Sequence, residues 1–249
     1  MNNLTRSDLA CEIAEKEKSL CAGMEWKTRE AAGFVISELI IETKAAAERL
    51  GKPCGRYLTL ECGRIDRLSA EDNRALSHLL AGELRGAVKR LTQKAIDSNL
   101  SVFVAGLGNA DLTSDSIGPQ TVRRLTATRH LRQYEGELYK AVGCSSLSAL
   151  APGVLGQTGI ETAEYITGIV NLVKPDLVIM IDALASSDLS SLGRTVQLSD
   201  TGISPGAGVG NFRKRIDKST LGVPVVSIGV PTVTDFQYNE SMIVTPKDI

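Results

Sequence analysis

Two short apolar runs, each ending at acidic residues, are the feature that most constrains the fold. Residues 101–118 read SVFVAGLGNADLTSDSIG, and residues 177–188 read LVIMIDALASSD. Such runs are typical of buried strands, and side chains just past the carboxyl ends of parallel strands line the ligand crevice of an open sheet. The sequence therefore predicts a cleft in which Asp182 faces an acidic residue of the first loop, Asp111 or Asp115. A pair of facing carboxyl groups is sufficient to activate a water molecule.

The second half of the chain alternates between strand-like and helix-like segments. Strands are predicted at 101–105, 177–182, 194–199 and 224–229, and helices at 118–127 and 160–173. This alternation is typical of an α/β fold, a three-layer sandwich in which helices cover both faces of a mainly parallel sheet.

The first part of the chain is predicted to contain more helix. Residues 27–50 are rich in Ala, Glu, Lys and Leu and are followed by Gly51, a composition and a stop signal that predict a helix. Residues 56–62 alternate between apolar and polar side chains, as half-buried strands do. Residues 70–98 have apolar side chains at helical spacing. We expect one α/β domain in which residues 1–55 form partly an N-terminal extension.

The charge and hydropathy of the chain exclude several classes of partner. The 28 basic and 29 acidic residues give a net charge of −1, so no basic surface for nucleic acid is expected. The apolar runs are shorter than the roughly 20 residues of a membrane-spanning helix, and the N-terminus lacks the apolar core of a secretory signal. We therefore expect a cytoplasmic protein without a membrane or nucleic-acid partner.

Neither the cysteines nor the histidines form a recognisable metal site. The five cysteines are widely spaced and include no C-x-x-C pair, which predicts neither a zinc site nor a disulfide framework. The two histidines, His78 and His130, are too few for a histidine-rich site. The sequence also has no P-loop. No cofactor or metal is therefore expected.

The glycine-rich loop at residues 106–119 has two simpler interpretations. A dinucleotide-binding loop is disfavoured, because the third glycine follows Gly108 by ten residues and the acidic side chains would repel a pyrophosphate. The other is an ordinary strand-to-helix turn, in which Asp115 or Ser116 caps a helix that begins near Ile117.

Two further glycine-rich loops, at residues 152–166 and 200–215, favour a binding role for these segments. Glycine lets a substrate backbone approach closely, and ordering three such loops for the fold alone is costly. Backbone N–H groups in the loops are candidate donors to the oxyanion that forms in peptide hydrolysis. The candidate donors are Gly106, Gly108, Asn109, Gly206 and Gly208.

Nine motifs follow one another along nearly the whole chain. They are RSDLACE at 6–12, GRYLTLE at 55–61, GLGNADLTSDSIGP at 106–119, TATRHL at 126–131, APGVLGQTGIET at 151–162, VKPDLVIMIDALA at 173–185, SDTGISPGAGVGNFRK at 199–214, LGVPVVSIGVPTV at 221–233 and IVTPKDI at 243–249. In this order they resemble the germination protease family, the spore endopeptidases that degrade small acid-soluble spore proteins during germination.

The resemblance implies an α/β fold related to that of the hydrogenase-maturation endopeptidases, a homotetramer and synthesis as a zymogen. It also implies a location in the forespore or spore core and small acid-soluble spore proteins as the substrate. Two essential aspartates of the family fall at Asp115 and Asp182. Both are among the acidic residues that the strand ends predict.

The roles of the two aspartates stay open from the sequence. Adjacent carboxyl groups cannot both ionise easily, so the pair is expected to share a proton, with one member acting as base toward water and the other as acid. A metal-assisted route is the alternative, since the related hydrogenase-maturation proteins bind metal through carboxylates and a histidine. His130 is the nearest candidate ligand, and a capping or packing role is its other interpretation.

The N-terminal segment carries a predicted processing site. The family's substrates are cut after an acidic residue and before an apolar one, and SDLA at residues 7–10 fits this pattern. Autoprocessing would then fall between Asp8 and Leu9, leaving residues 1–8 as a propeptide and 9–249 as a single protease domain. A second, compatible interpretation is that the same polar residues cap the following helix.

Two departures from the family pattern leave other functions open. The family has W-N where this chain has Ala110-Asp111, and only ten residues separate VPTV from VTPK, so the C-terminal region is shortened. A catalytically silent relative that serves as a sporulation-linked binding or regulatory protein is therefore a second hypothesis. A maturation protease acting on a metalloenzyme precursor is a third.

Overall fold

A sheet of eight strands is the frame of the computed structural model, which describes residues 7–16, 22–204 and 214–234. The strands are β1 (Met24–Ala31), β2 (Phe34–Ile41), β3 (Gly55–Glu61), β4 (Ser101–Gly106), β5 (Ser146–Leu150), β6 (Leu177–Ser186), β7 (Thr195–Ser199) and β8 (Val225–Thr234). They lie side by side in the order β1-β2-β3-β7-β8-β6-β4-β5. The four strands from β8 to β5 run parallel to one another, and the other neighbours are antiparallel.

Helices cover both faces of this sheet. They are α1 (Ala10–Lys16), α2 (Lys44–Leu50), α3 (Ala70–Thr92), α4 (Ile117–Val122), α5 (Arg129–Tyr134), α6 (Gly136–Val142), α7 (Leu155–Thr158), α8 (Thr162–Val173) and α9 (Lys218–Leu221). Helices α3 and α4 pack on one face, and α1, α2, α8 and α9 pack on the other. The predicted α/β class with helices on both faces is therefore confirmed, and the parallel pairing lies in the half of the sheet that contains β4 and β6.

The helix predicted at residues 27–50 is wrong, because β1 and β2 form a hairpin there and only α2 is helical. Ala32 and Gly33 make the turn with φ of 53° and 82°, and the commonest two-residue hairpin turns require such positive values. Ile36 of β2 packs against α3, whereas Leu39 packs against α1 and α2. Burial of β2 on both faces outweighs the helix propensity of its surroundings.

The other predicted elements begin close to their expected positions, and four of them differ in length, among them α4, which ends at Val122 rather than at residue 127. Helix α3 ends at Thr92, because Gln93 takes a left-handed conformation with φ of 55°. Strands β6 and β8 continue past their predicted ends, to Ser186 and Thr234. Strand β6 therefore extends beyond Asp182, and this extension contacts the N-terminal segment.

A contact between two glycines holds the loop between β4 and α4 against the sheet. A Cβ atom on Gly106 would lie 2.2 Å from the carbonyl oxygen of Gly118, and one on Gly118 would lie 2.3 Å from the carbonyl oxygen of Leu107. No side chain fits in this space, so both positions require glycine. The N–H of Leu107 donates to the carbonyl oxygen of Ile181 at 2.8 Å, which fastens the start of the loop to β6.

Replacing Gly118 by alanine is expected to lower the free energy of unfolding by at least about 2 kcal/mol, because the added methyl group forces β4 and α4 apart. Gly82→Ala is the matched control. Gly82 lies in α3 with open space around it, so the higher helix propensity of alanine should stabilise the protein by about 0.5–1 kcal/mol. Urea denaturation measures both changes, and equal effects at the two positions would contradict the close contact.

Candidate active site

Asp182 lies within β6, in the parallel half of the sheet. Alternate residues of a strand share a face, so Asp182 points to the same face as Val178 and Met180, which pack against α8. Its side chain is only 8% exposed. Its Oδ1 accepts the N–H of Ala183 at 2.9 Å. On the protein surface, the same carboxyl group would be surrounded by water.

The electrostatic setting of Asp182 favours its protonated form. Burial raises the pKa of Asp182 to about 8, and the charges of Asp115 and, to a smaller extent, Asp8 act in the same direction. The hydrogen bond from Ala183 opposes this rise only in part. The carboxyl group therefore holds a proton at neutral pH, where an exposed aspartate is ionised.

Asp115 ends a short 3-10 turn in the loop between β4 and α4. Its Oδ2 accepts the N–H of Asn109 at 2.8 Å. Gly108 has a φ of 109°, and a Cβ atom there would lie 2.1 Å from the carbonyl oxygen of Asp115, so the loop closes around this residue only with glycine at that position. Thr232 of β8 donates to the carbonyl oxygen of Ser114 at 2.5 Å and fastens the turn to the neighbouring strand.

The alternative interpretation, in which Asp115 or Ser116 caps the following helix, is wrong. Helix α4 begins without a hydrogen bond from either side chain to its first N–H groups. The second acidic residue of the loop, Asp111, is exposed, and its Oδ2 accepts the side-chain amide of Gln157 at 3.2 Å. Of the two candidates in the loop, it is Asp115 whose charge acts on Asp182.

Among the described loop residues predicted as oxyanion donors, Asn109 already has its N–H bonded within the loop. The N–H of Asn109 is taken by the carboxylate of Asp115, and Gly106 and Gly108 are the points where the loop backbone approaches its neighbours most closely. Gly206 and Gly208 lie outside the described residues.

The N-terminal segment brings a third carboxylate to the same region. The N–H of Asp8 donates to the carbonyl oxygen of Ala185 at 2.8 Å, and the N–H of Ala185 donates to Oδ2 of Asp8 at 2.9 Å. The carbonyl oxygen of Asp8 accepts hydrogen bonds from Nζ of Lys52 at 3.0 Å and from Nε2 of Gln197 at 3.2 Å. Leu9, the next residue, is fully buried. The bond predicted as the processing site is therefore held at both ends.

A cleft between the end of α2 and strands β6, β7 and β8 collects these groups. Carboxyl, amide, hydroxyl and cationic side chains line it, among them Asp8, Lys52, Asp182, Gln197, Ser199 and Arg215. Burial lowers the pKa of Lys52, and the nearby charge of Asp8 offsets this in part. Asp8 and Asp182 thus line one cleft, and the charge of Asp8 adds to the rise in the pKa of Asp182.

Glu12 of α1 anchors the N-terminal segment, a role that the sequence analysis misses. Its Oε1 accepts the hydroxyl of Ser186 at 2.6 Å, and its Oε2 accepts the N–H of Ser187 at 2.9 Å and the hydroxyl of Ser7 at 2.6 Å. Burial alone would raise the pKa of Glu12, but these hydrogen bonds hold it below its usual value. The pair of serines that follows IDALA is the feature of the sequence that could have indicated this contact, because their hydroxyl groups are possible donors to a carboxylate.

No group of three or more His, Cys, Asp or Glu side chains in the described part of the chain is placed to hold a metal ion. His130, the ligand considered for a metal-assisted route, is exposed on α5. Among the described helices, none is long and apolar enough to cross a membrane. The described cysteines are free thiols: Cys11, Cys54, Cys62 and Cys144.

Asp182→Asn is expected to raise the free energy of unfolding at neutral pH, because the folded protein otherwise holds a proton that the unfolded chain releases. The pKa is about 8 in the folded protein against an ordinary 3.8, so this cost grows as pH rises between these values. The advantage of the asparagine variant should increase by up to about 1.4 kcal/mol per pH unit in that window. Urea denaturation across the window measures it, with Asp111→Asn as the control at an exposed position. An advantage that is independent of pH would contradict the raised pKa.

The chain matches the family model described as germination protease over residues 3–244. It is 40% identical to the germination protease of Clostridium acetobutylicum over 237 residues, which cover 94% of this chain and 71% of that protein. It is 45% identical to that of Caldanaerobacter subterraneus subsp. tengcongensis over 233 residues, or 92% and 69% of the two chains. The germination protease of Geobacillus sp. is 43% identical over 241 residues, or 92% and 63%. This chain therefore spans between 63% and 71% of the length of these relatives.

Among solved structures, the chain is similar to a nickel–iron hydrogenase maturation protease from Thermococcus kodakarensis. The two are 20% identical, and the match covers 54% of this chain and 74% of that one with a TM-score of 0.35, which is too low to support a conclusion. The match to the family model, by contrast, runs almost from one end of the chain to the other, and the chain therefore belongs to the germination protease family.

Proposed function

We propose that the protein is an endopeptidase that starts the degradation of small acid-soluble spore proteins during spore germination. Membership of a germination peptidase family supports the hydrolase class and the link to germination. The observation that carries the aspartic mechanism is the buried carboxyl group of Asp182, whose pKa is about 8 beside the charge of Asp115.

The two aspartates have different environments, which suggests different roles. Asp182 holds a proton at neutral pH and is suited to donate it, whereas Asp115 is partly exposed and is suited to accept a proton from water. As the water oxygen bonds to the peptide carbonyl carbon, Asp115 takes a water proton. As the carbon–nitrogen bond breaks, Asp182 gives its proton to the leaving nitrogen. Return of the proton from Asp115 to Asp182 resets the pair.

Self-processing between Asp8 and Leu9 belongs to the same proposal, with residues 1–8 as the propeptide and 9–249 as the protease domain. Its support is the position of Asp8, which lines the cleft together with Asp182. An acidic residue followed by an apolar one is then the sequence that the cleft accepts in substrates as well.

The assembly and the location of the protein are proposed from the family resemblance alone. They are a homotetramer and the forespore or spore core, with spore proteins as substrates. No metal enters the proposed reaction, in which the two aspartates supply the acid and the base.

Cleavage of a small acid-soluble spore protein by the full-length chain tests the proposal. Asp115→Asn and Asp182→Asn are each expected to lower the rate by at least about 100-fold, because each removes one proton-transfer group. Asp111→Asn is the matched control in the same loop and should cleave at close to the wild-type rate. Mass spectrometry of the chain itself should find a cut after Asp8 in the wild type and in the control, and an intact chain in the other two variants.

Two outcomes would contradict this proposal. If no form of the chain cleaves either itself or the substrate, the protein is a silent relative with a binding or regulatory role. If cleavage occurs but a strong chelator abolishes it, the metal-assisted route with His130 gains support instead.

The pH dependence of cleavage tests the role given to Asp182. Its pKa is raised to about 8, so the acid form is present at neutral pH and the rate should fall as pH rises through about 8. Initial rates between pH 6 and pH 10 (a range of roughly two units on each side of that value) measure this, and Asp111→Asn should give the same profile. A rate that rises through pH 8 would show that Asp182 acts as a base.

A further inference from the structure

The carbonyl oxygen of Asp8 receives two side-chain donors, an arrangement that the aspartate pair does not require. Nζ of Lys52 lies 3.0 Å from this oxygen, and Nε2 of Gln197 lies 3.2 Å from it. Hydrolysis of the following peptide bond would place negative charge on the same oxygen, and preorganised donors at that position lower the barrier.

Gln197 is fixed in the orientation that this contact needs. Its side chain is 7% exposed in β7, and its Oε1 accepts the N–H of Ala10 at 2.7 Å. With Oε1 occupied in this way, Nε2 is turned toward the carbonyl oxygen of Asp8. One amide group therefore contacts the chain on both sides of the Asp8–Leu9 bond.

Lys52 brings its ammonium group to the same oxygen, and the neighbouring carboxylate of Asp8 favours the charged form against the effect of burial. It follows Gly51, whose left-handed conformation with φ of 62° ends α2 and directs the chain toward the cleft. The carboxylate of Asp8 and the guanidinium of Arg215 line the same cleft; the charge of Asp8 raises the pKa of Lys52, and that of Arg215 lowers it. A cation in a cleft shielded from water stabilises a developing oxyanion more strongly than one in solvent.

The backbone of Asp8 is held from its other side as well. Its N–H and its Oδ2 both bond to Ala185, three positions after Asp182 on the same strand. Asp8 is therefore held through its N–H, its side chain and its carbonyl oxygen. The carbonyl oxygen is the atom that Lys52 and Gln197 contact.

We propose that Lys52 and Gln197 form the site that binds and polarises the carbonyl oxygen of the residue preceding the cleaved bond, both in self-processing and in substrates. This inference rests on the proposed peptidase function and extends it. The oxyanion is then stabilised by two side chains, Lys52 just after α2 and Gln197 in β7. The proton of Asp182 is then free for the leaving nitrogen, as the proposed order of bond changes requires.

Single substitutions that remove one donor each test the proposal. Lys52→Met and Gln197→Leu in the full-length chain are expected to lower kcat on a small acid-soluble spore protein by about 100-fold or more, with a smaller change in KM. Lys52→Arg keeps a cation and should restore part of kcat. Lys140→Met and Gln133→Leu, at exposed positions on α6 and α5, are the matched controls and should leave kcat unchanged. Wild-type kcat in both Lys52→Met and Gln197→Leu would overturn the proposal.

A second measurement separates failure of this inference from failure of the proposed function. In the uncut Asp182→Asn background, hydrogen exchange of the amides of Asp8 and Leu9 reports how firmly the segment is bound. The amide of Ala10 is left out because Gln197 itself accepts its hydrogen. Adding Lys52→Met or Gln197→Leu should speed this exchange by about 10-fold, a loss of about 1.4 kcal/mol. If the wild-type chain cleaves nothing, the peptidase function fails, yet faster exchange in the variants still supports a carbonyl-binding site. Unchanged exchange in both variants overturns that site.

Discussion

The buried carboxyl group of Asp182 is the constraint on which the rest of the structure depends. A strand flanked by parallel neighbours and covered by helices has little water to solvate a charge, so the group retains its proton at neutral pH. A second carboxylate close to this group needs a hydrogen-bond donor to stabilise its charge. For Asp115 that donor is the backbone N–H of Asn109. The contact between Gly106 and Gly118 brings that backbone to the strand.

The positions of the two aspartates are predictable from the sequence because they depend on local patterns. An apolar run followed by acidic residues places Asp115 in the loop after β4 and Asp182 on a buried parallel strand, although β6 continues four residues past Asp182. The α/β class follows from the same alternation of segments. The hairpin of β1 and β2 is different, since it is stabilised by pairing with β3 and, through β3, with β7 far along the chain. Composition alone favours a helix there.

The groups around Asp8 are the part of the site that sequence patterns do not reveal. In the sequence, Gln197 is an ordinary polar residue of a strand. Lys52 is an ordinary residue that follows the glycine at the end of a helix. They meet because β7 and the end of α2 flank the same cleft, and partners separated by 189 and 44 positions leave no local signature. Glu12 likewise depends on hydroxyl groups at the far end of β6, 174 positions away.

The anchoring of the N-terminal segment by Glu12 has a kinetic consequence. Because α1 is fastened to the end of β6, Asp8 lines the cleft of Asp182 within the same molecule. In the proposed self-processing, such tethering would replace a collision between two molecules by a unimolecular event, so the half-time of the cut after Asp8 would not depend on dilution. Each copy of the chain would then mature at a pace set by its own fluctuations, however few copies surround it.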